Sequence, residues 1–153
     1  MHLPMLIGTL ALSASMAFAA QAKVHNNCGF PVWVNSVQGK AGLVQKVASG
    51  YTFSEEQKPT DNGIGVSVQI TMYEDGRSNN DPILIMGYSW DKHAGLYYSL
   101  STVKGFDFWG RKLRIHNTEG KPLEEIVWMG EPEPDYTAAY LNGEADITLE
   151  LCD

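Results

Sequence analysis

The sequence predicts an all-β protein, an antiparallel β-sandwich with one disulfide bond joining its terminal strands. Several short segments alternate apolar and polar residues with the period of two that is typical of half-buried strands. Turn-forming stretches rich in Gly, Asn and Asp separate these segments. No run of ten or more residues shows a helical stripe. Short strands at this spacing favour a sandwich or a barrel.

The composition fits one globular domain. The chain has 153 residues, of which 44% are hydrophobic and 19% are charged, so it can bury a core. The formal net charge is -7. Nucleic-acid affinity comes mostly from Lys and Arg that neutralise phosphate, so we expect no nucleic-acid partner.

The N-terminal residues 1–19 predict a secretory signal peptide. The segment has an apolar run, no acidic residue and a small-x-small ending at Ala17-Phe18-Ala19. Polar and small residues interrupt the run, which argues against a membrane anchor. Cleavage after Ala19 leaves one domain, residues 20–153, and cleavage after Ala22 is the alternative. We therefore expect a secreted, extracellular, monomeric protein with no membrane partner.

Two cysteines, Cys28 and Cys152, lie near the two ends of this domain. An even number of cysteines in an oxidising compartment favours pairing over metal binding or catalysis. We expect a bridge between them, and two free buried thiols are the alternative.

The first three strands are predicted from the first half of the domain. Phe30–Val34 is apolar, and Pro31 places it at a sheet edge or a strand start. Gly65–Tyr73 alternates apolar and polar residues and predicts one buried face. Pro82–Met86 is continuously apolar, which favours a central strand covered on both faces.

Three further strands are predicted from the second half. In Leu96–Val103, Tyr98 shares a face with Leu96 and Leu100, so Tyr97 is expected to be exposed. Lys112–His116 is the next strand. At the end of the chain, Ile147, Leu149 and Leu151 are expected to face the core.

The acidic residues are concentrated at the C-terminal end. Glu119–Asp153 holds ten acidic residues and one basic residue. Within it, residues 120–135 are rich in Pro and Glu and predict a loop. Such a charge run is usually a solvated surface, and a partner-binding surface is the alternative.

The sequence predicts no catalytic residue, no metal site and no cofactor. The three histidines after the signal peptide have no second ligand at a recognised metal spacing. Adjacent carboxylates such as Glu74-Asp75 do not by themselves indicate glycoside hydrolysis, because neighbours in a strand point to opposite faces.

Aromatic residues are concentrated between positions 90 and 109, and flat rings at a surface can stack sugars or pack a partner. Core packing is the alternative for each ring. The predicted binding residues are Trp90, Tyr97, Lys104, Phe108 and Trp109.

Four segments resemble thaumatin-like proteins, in particular the short fungal branch of conidial-transcript and yeast-phase-specific secreted proteins. They are Val24–Val34 (VHNNCGFPVWV), Ile83–Ser89 (ILIMGYS), Leu96–Gly110 (LYYSLSTVKGFDFWG) and Tyr140–Cys152 (YLNGEADITLELC). The resemblance implies a β-sandwich core and a bridge between the first and last cysteines. It also implies a role at β-glucan or the cell wall.

Larger members of the thaumatin-like family carry an acidic cleft of one arginine, one glutamate and three aspartates. Matching by position puts Gln69 at the arginine, Gly87 at the glutamate, and Ser99 and Lys104 at two aspartates. The fifth position cannot be placed in residues 135–146. Without paired carboxylates the resemblance implies no hydrolase.

We therefore expect a secreted, non-enzymatic thaumatin-like protein, with a cell-wall polysaccharide or an extracellular host protein as its partner. A weak β-1,3-glucan hydrolase that uses Glu74, Asp75 or Asp107 is the alternative. A third reading is an inhibitor of a secreted enzyme, acting through the acidic residues 120–135.

Overall fold

The computed structural model describes residues 19–131 and 134–153, and these contain twelve β-strands and no helix. All but the last residue of the predicted signal peptide lies outside the described residues. The strands are β1 (Gln21–Asn26), β2 (Val32–Gln38), β3 (Lys40–Ala41), β4 (Gln45–Val47), β5 (Thr52–Glu56), β6 (Val66–Thr71), β7 (Ile83–Asp91), β8 (Gly95–Val103), β9 (Leu113–His116), β10 (Ile126–Trp128), β11 (Asp135–Tyr140) and β12 (Ile147–Leu151).

The strands form two sheets. The smaller sheet has the order β10-β9-β12-β1-β5, and the larger one has the order β11-β8-β7-β6-β2-β3, with β4 also paired to β2. Buried side chains of both sheets make one hydrophobic cluster. The predicted all-β sandwich is confirmed.

The alternating segments bury the faces that the sequence predicts. In β6, Val66, Val68 and Ile70 are buried, and in β12 the apolar Ile147, Leu149 and Leu151 are fully buried. Tyr98 is buried in β8, whereas its neighbour Tyr97 is 44% exposed. Because side chains alternate across a strand, local pattern alone determines these orientations.

The strand predicted from Pro82–Met86 is central but is not covered on both faces throughout. β7 lies between β6 and β8. Ile83 and Leu84 are both buried, whereas from Leu84 to Tyr88 buried and half-buried residues alternate. Beyond Leu84, the side of β7 on the outer face of the large sheet is therefore partly exposed.

The small sheet contains two strands, β1 and β5, to which the sequence prediction assigned no segment, and it differs from that prediction in two further features. β1 and β12 pair in parallel, whereas the other paired strands of residues 19–131 and 134–153 are antiparallel. The segment 120–135, predicted as a loop, contains β10, which pairs with β9. This strand has only three residues, too few for an alternation to be recognised.

The disulfide bond between Cys28 and Cys152 is present, with 5.1 Å between the Cα atoms. The parallel register explains why the two cysteines meet. Asn26 at the end of β1 is paired with Leu151 at the end of β12, so the residues that follow leave the sheet side by side.

Asn26 fixes the turn that leads from β1 to β2. Its side chain is fully buried, and its Nδ2 donates to the carbonyl oxygens of Phe30 at 2.8 Å and Val47 at 2.9 Å. Its Oδ1 accepts a hydrogen bond from the Cys28 N–H at 3.0 Å. One amide therefore positions the disulfide, the Phe30 segment and β4 together.

Candidate functional site

The candidate site is an open groove of about 400 Å³ beside strand β2. Three separate parts of the chain line it: the start of β2, the residues after β6 and the loop after β8. Its lining residues are Phe30, Pro31, Trp33, Met72, Tyr73, Asp107 and Arg111. We call it the aromatic groove, because Phe30, Trp33 and Tyr73 give it three aromatic side chains.

Local sequence explains how Trp33 reaches this groove. Pro31 ends the preceding turn, and β2 starts at Val32, as the proline predicts. Val32 and Val34 are fully buried, so Trp33 between them points to the outer face of the large sheet. Tyr73 follows the end of β6 and is 61% exposed.

Two cations lie over rings of the groove, and one of them, Arg111, also lines it. The guanidinium of Arg111 lies 4.6 Å from the centroid of Phe30, and the ammonium of Lys46 lies 5.7 Å from the ring of Trp33. Both distances are within the range of a cation–π interaction. Arg111 is thereby held at the edge of the groove, where its N–H groups can donate to a ligand.

Asp107 supplies a carboxylate at the same edge. Its pKa is raised above the ordinary value, mainly because partial burial disfavours the charged form and also because of the negative charge of Asp81. The groove therefore combines aromatic faces with one cation and one carboxylate. Such a set can stack an uncharged ring and hydrogen-bond its hydroxyl groups.

Two of the predicted binding residues lie elsewhere and on opposite faces of the large sheet. Trp90 is half-buried in β7 and packs against the core cluster. Tyr97, in β8, points outward into a shallow pocket of about 230 Å³. The sheet separates the two rings, so they do not form one surface.

The other three predicted residues lie at the far end of β8 or beyond it. Lys104 follows the last residue of β8, about 23 Å along the strand from Tyr97 at 3.3 Å per residue. Phe108 is only 2% exposed, so it is corrected to a core residue with no surface for a ligand. Trp109 is 53% exposed and packs edge-on against Phe106, with 5.4 Å between the ring centroids.

Phe30, Trp33 and Tyr73 are not among the binding residues that the sequence predicts. The sequence places Phe30 and Trp33 in a strand, and its aromatic density is highest between positions 90 and 109. The alternation in β2 does predict that Trp33 faces away from Val32 and Val34. It does not predict that Tyr73 and Arg111, distant in the sequence, lie beside it.

Three of the four positions matched to the acidic cleft come together on the outer face of the large sheet, whereas the fourth, Lys104, lies beyond the end of β8. Gly87 in β7 pairs directly with Ser99 in β8, and Gln69 pairs with Ile85 on the neighbouring strand. All three face outward, and Gly87 and Ser99 line the shallow pocket with Tyr97. None of these three positions carries a carboxylate.

The described residues contain no group of three or more His, Cys, Asp or Glu side chains placed to hold a metal ion. In that same part of the chain, no helix could cross a membrane.

The chain matches one protein family and is similar to two known proteins. The family model of the Blastomyces yeast-phase-specific protein matches residues 9–153. An antigenic thaumatin-like protein of Arthroderma benhamiae is 25% identical over 142 residues, which are 86% of this chain and 70% of that protein. The crystal structure of the protein elicitor MoHrip2 from Magnaporthe oryzae has a TM-score of 0.69 at 22% identity, covering 88% of this chain and 100% of that one.

These comparisons confirm the resemblance on which the sequence analysis relied. The family model spans the whole predicted domain, residues 20–153, and includes both cysteines. The structural similarity covers 88% of the chain. The chain belongs to the Blastomyces yeast-phase-specific protein family, within the short fungal branch of thaumatin-like proteins.

Proposed function

We propose that this chain is a secreted, non-enzymatic protein that binds a cell-wall polysaccharide through the aromatic groove. The observation that carries the proposal is the convergence of Phe30, Trp33 and Tyr73 in one open groove with Arg111 and Asp107 at its edge. The names of the similar proteins, an antigen and an elicitor, support an extracellular location.

The groove is suited to a polysaccharide because the faces of sugar rings are apolar while their rims carry hydroxyl groups. Aromatic rings bury the apolar faces, and a guanidinium and a carboxylate provide donors and acceptors for the hydroxyls. The groove is open rather than enclosed, so a chain could pass along it. β-1,3-Glucan is the first ligand to test.

The absence of a carboxylate pair at the matched cleft positions supports a binding role. Glycoside hydrolysis needs two carboxyl groups on either side of one bond, about 5 to 9.5 Å apart. Gln69, Gly87 and Ser99 cannot supply them. The second candidate function is weak hydrolysis, and it is favoured by Asp107, whose pKa is raised mainly by partial burial and also by the charge of Asp81.

Replacing Tyr73 by alanine should weaken binding to insoluble β-1,3-glucan about tenfold, because one stacking ring is lost. Tyr73 is 61% exposed, so the fold should persist. The measurement is depletion of the protein from solution by suspended glucan, with chitin and host wall fractions in parallel. Tyr97→Ala is the matched control, since Tyr97 is an exposed tyrosine of the same sheet outside the groove, and its binding should not change.

Equal loss for both tyrosine variants would show that the site is not confined to the aromatic groove but extends across the outer sheet face to Tyr97. No binding to any wall fraction would contradict the proposal. Hydrolysis is measured on the same glucan as released reducing sugar. We expect none from the wild type. Activity that Asp107→Asn abolishes would establish the hydrolase instead.

We expect the mature chain to begin at Ala20. Its carbonyl oxygen accepts from the Gln57 N–H at 2.8 Å, and the Gln21 N–H donates to the buried Asp146 at 2.7 Å. Cleavage after Ala22 would remove both hydrogen bonds and the fully buried Ala22 side chain. The intact mass of the secreted protein distinguishes the two products.

A chain beginning at Lys23 should also be less stable than one beginning at Ala20, because the start of β1 would be lost. A secreted product that begins at Lys23 and unfolds at the same temperature would contradict this assignment.

A further inference from the structure

The edge of the large sheet beside β2 carries an apolar projection. β3 and β4 both pair with β2, as Ala41 with Val37 and Gln45 with Val34. Between these pairs the edge segment has three residues, Gly42 to Val44. They lie opposite only two residues of β2, Asn35 and Ser36. This extra residue is a β-bulge, which bends an edge strand and redirects its side chains.

The bulge is firmly held and its tip is exposed. The Gly42 N–H donates to the Ser36 carbonyl oxygen at 2.8 Å, and the Asn35 amide donates to the Gly42 carbonyl oxygen. The side chain of Leu43 is nevertheless 86% exposed, and that of Val44 is 45% exposed. Protection of a sheet edge explains a bulge and flanking lysines, but it does not explain an exposed leucine at the tip.

The charge around this tip is positive, although the protein as a whole is acidic. Lys40 and Lys46 flank the bulge, and residues 20–54 contain no Asp or Glu. Arg77 lies close, with its Nη1 3.5 Å from the Asn35 Oδ1. Its own loop also carries Glu74 and Asp75, so the two lysines provide the clearest positive charge.

We propose that this bulge docks on the surface of a lipid bilayer with anionic headgroups. Leu43 and Val44 would enter the interface between headgroups and acyl chains, while Lys40 and Lys46 would contact the headgroup charge. An acidic polysaccharide would offer negative charges to Lys40 and Lys46. It would not offer an apolar environment in which the side chain of Leu43 could be buried. The sequence expectation of no membrane partner considered spanning segments, which surface docking does not need.

The test is cosedimentation of the secreted protein with vesicles of phosphatidylcholine alone and with about 30% phosphatidylserine. We expect binding only to the anionic vesicles, and weaker binding at high salt. Leu43→Ser should lower the partition coefficient about tenfold or more, and Lys46→Gln about fivefold. The matched control is Leu141→Ser, because Leu141 is 64% exposed and follows β11 at the opposite edge of the same sheet.

Absence of vesicle binding would overturn the proposal, as would binding that Leu43→Ser leaves unchanged. Binding to dextran sulfate that the lysine variant weakens and Leu43→Ser does not, without vesicle binding, would assign the bulge to a polyanion. Thermal melting of each variant verifies that the fold is kept. Lys46 also lies over the ring of Trp33 in the aromatic groove, so the two proposals are separated by Leu43 and Tyr73. Leu43→Ser should weaken only vesicle binding, and Tyr73→Ala should bind vesicles like the wild type.

Discussion

Cys152→Ser is expected to lower the free energy of unfolding by about 4 to 5 kcal/mol, the largest effect of any substitution proposed here. The bond closes a loop with a sequence separation of 124 residues. Breaking it restores to the unfolded chain the conformational freedom that this loop removes. Folding and secretion should remain possible, because the domain has a core of its own.

Thermal melting with and without reductant measures this effect. The wild type should melt roughly 15 °C lower when reduced, and Cys152→Ser should melt near that lower temperature in both conditions. Cys28→Ser should behave similarly, and the double variant should add little to either single one, because all three remove the same bond. Equal melting of the wild type in both conditions would contradict the prediction.

Asn26→Ala is expected to destabilise the protein by about 3 kcal/mol. The substitution leaves the carbonyl oxygens of Phe30 and Val47 and the N–H of Cys28 without their partner at a fully buried position. Each buried polar group that loses its hydrogen bond costs about 1 to 3 kcal/mol, with some recovery where water enters. Denaturant unfolding of the disulfide-bonded protein measures the difference.

The adjacent Asn27 provides the matched control. Its side chain is exposed and donates to Glu150 at 2.7 Å, so Asn27→Ala should cost less than about 1 kcal/mol. A similar loss for the two variants would show that the buried network of Asn26 is not the source of stability. Because Asn26 holds Phe30, its alanine variant should also bind β-glucan less tightly at temperatures where it remains folded.

The strand faces could be predicted from the sequence because alternation is local. Tyr97 and Tyr98 show this most directly. They are neighbours in β8, and because successive side chains point to opposite faces, the ring of Tyr97 lies at the surface and that of Tyr98 in the core. The short strand β10 could not be predicted in the same way. Its three residues form a strand because they pair with β9. The local sequence of β10 does not indicate that β9 will lie beside it.

The candidate site could be predicted only in part. Aromatic density in the sequence predicts Trp90, Tyr97 and Phe108 as site residues. In the structure Trp90 and Tyr97 lie on opposite faces of the large sheet, and Phe108 is buried in the core. Aromatic density in the sequence measures how many rings are near one another along the chain. It does not measure which of them share a surface, because rings on successive strand residues point to opposite sides.

By itself the sequence determined the all-β class, the faces that the long strands bury and the pairing of the two cysteines. These depend on the two-residue period and on the presence of two cysteines near the ends of the domain. Only the tertiary structure decided that Phe30, Trp33, Tyr73 and Arg111 share one groove, that β1 and β12 run in parallel, and that Leu43 projects from a bulge. The physical reason is that strand pairing and sheet packing join residues far apart in the chain, and their energies depend on the whole fold.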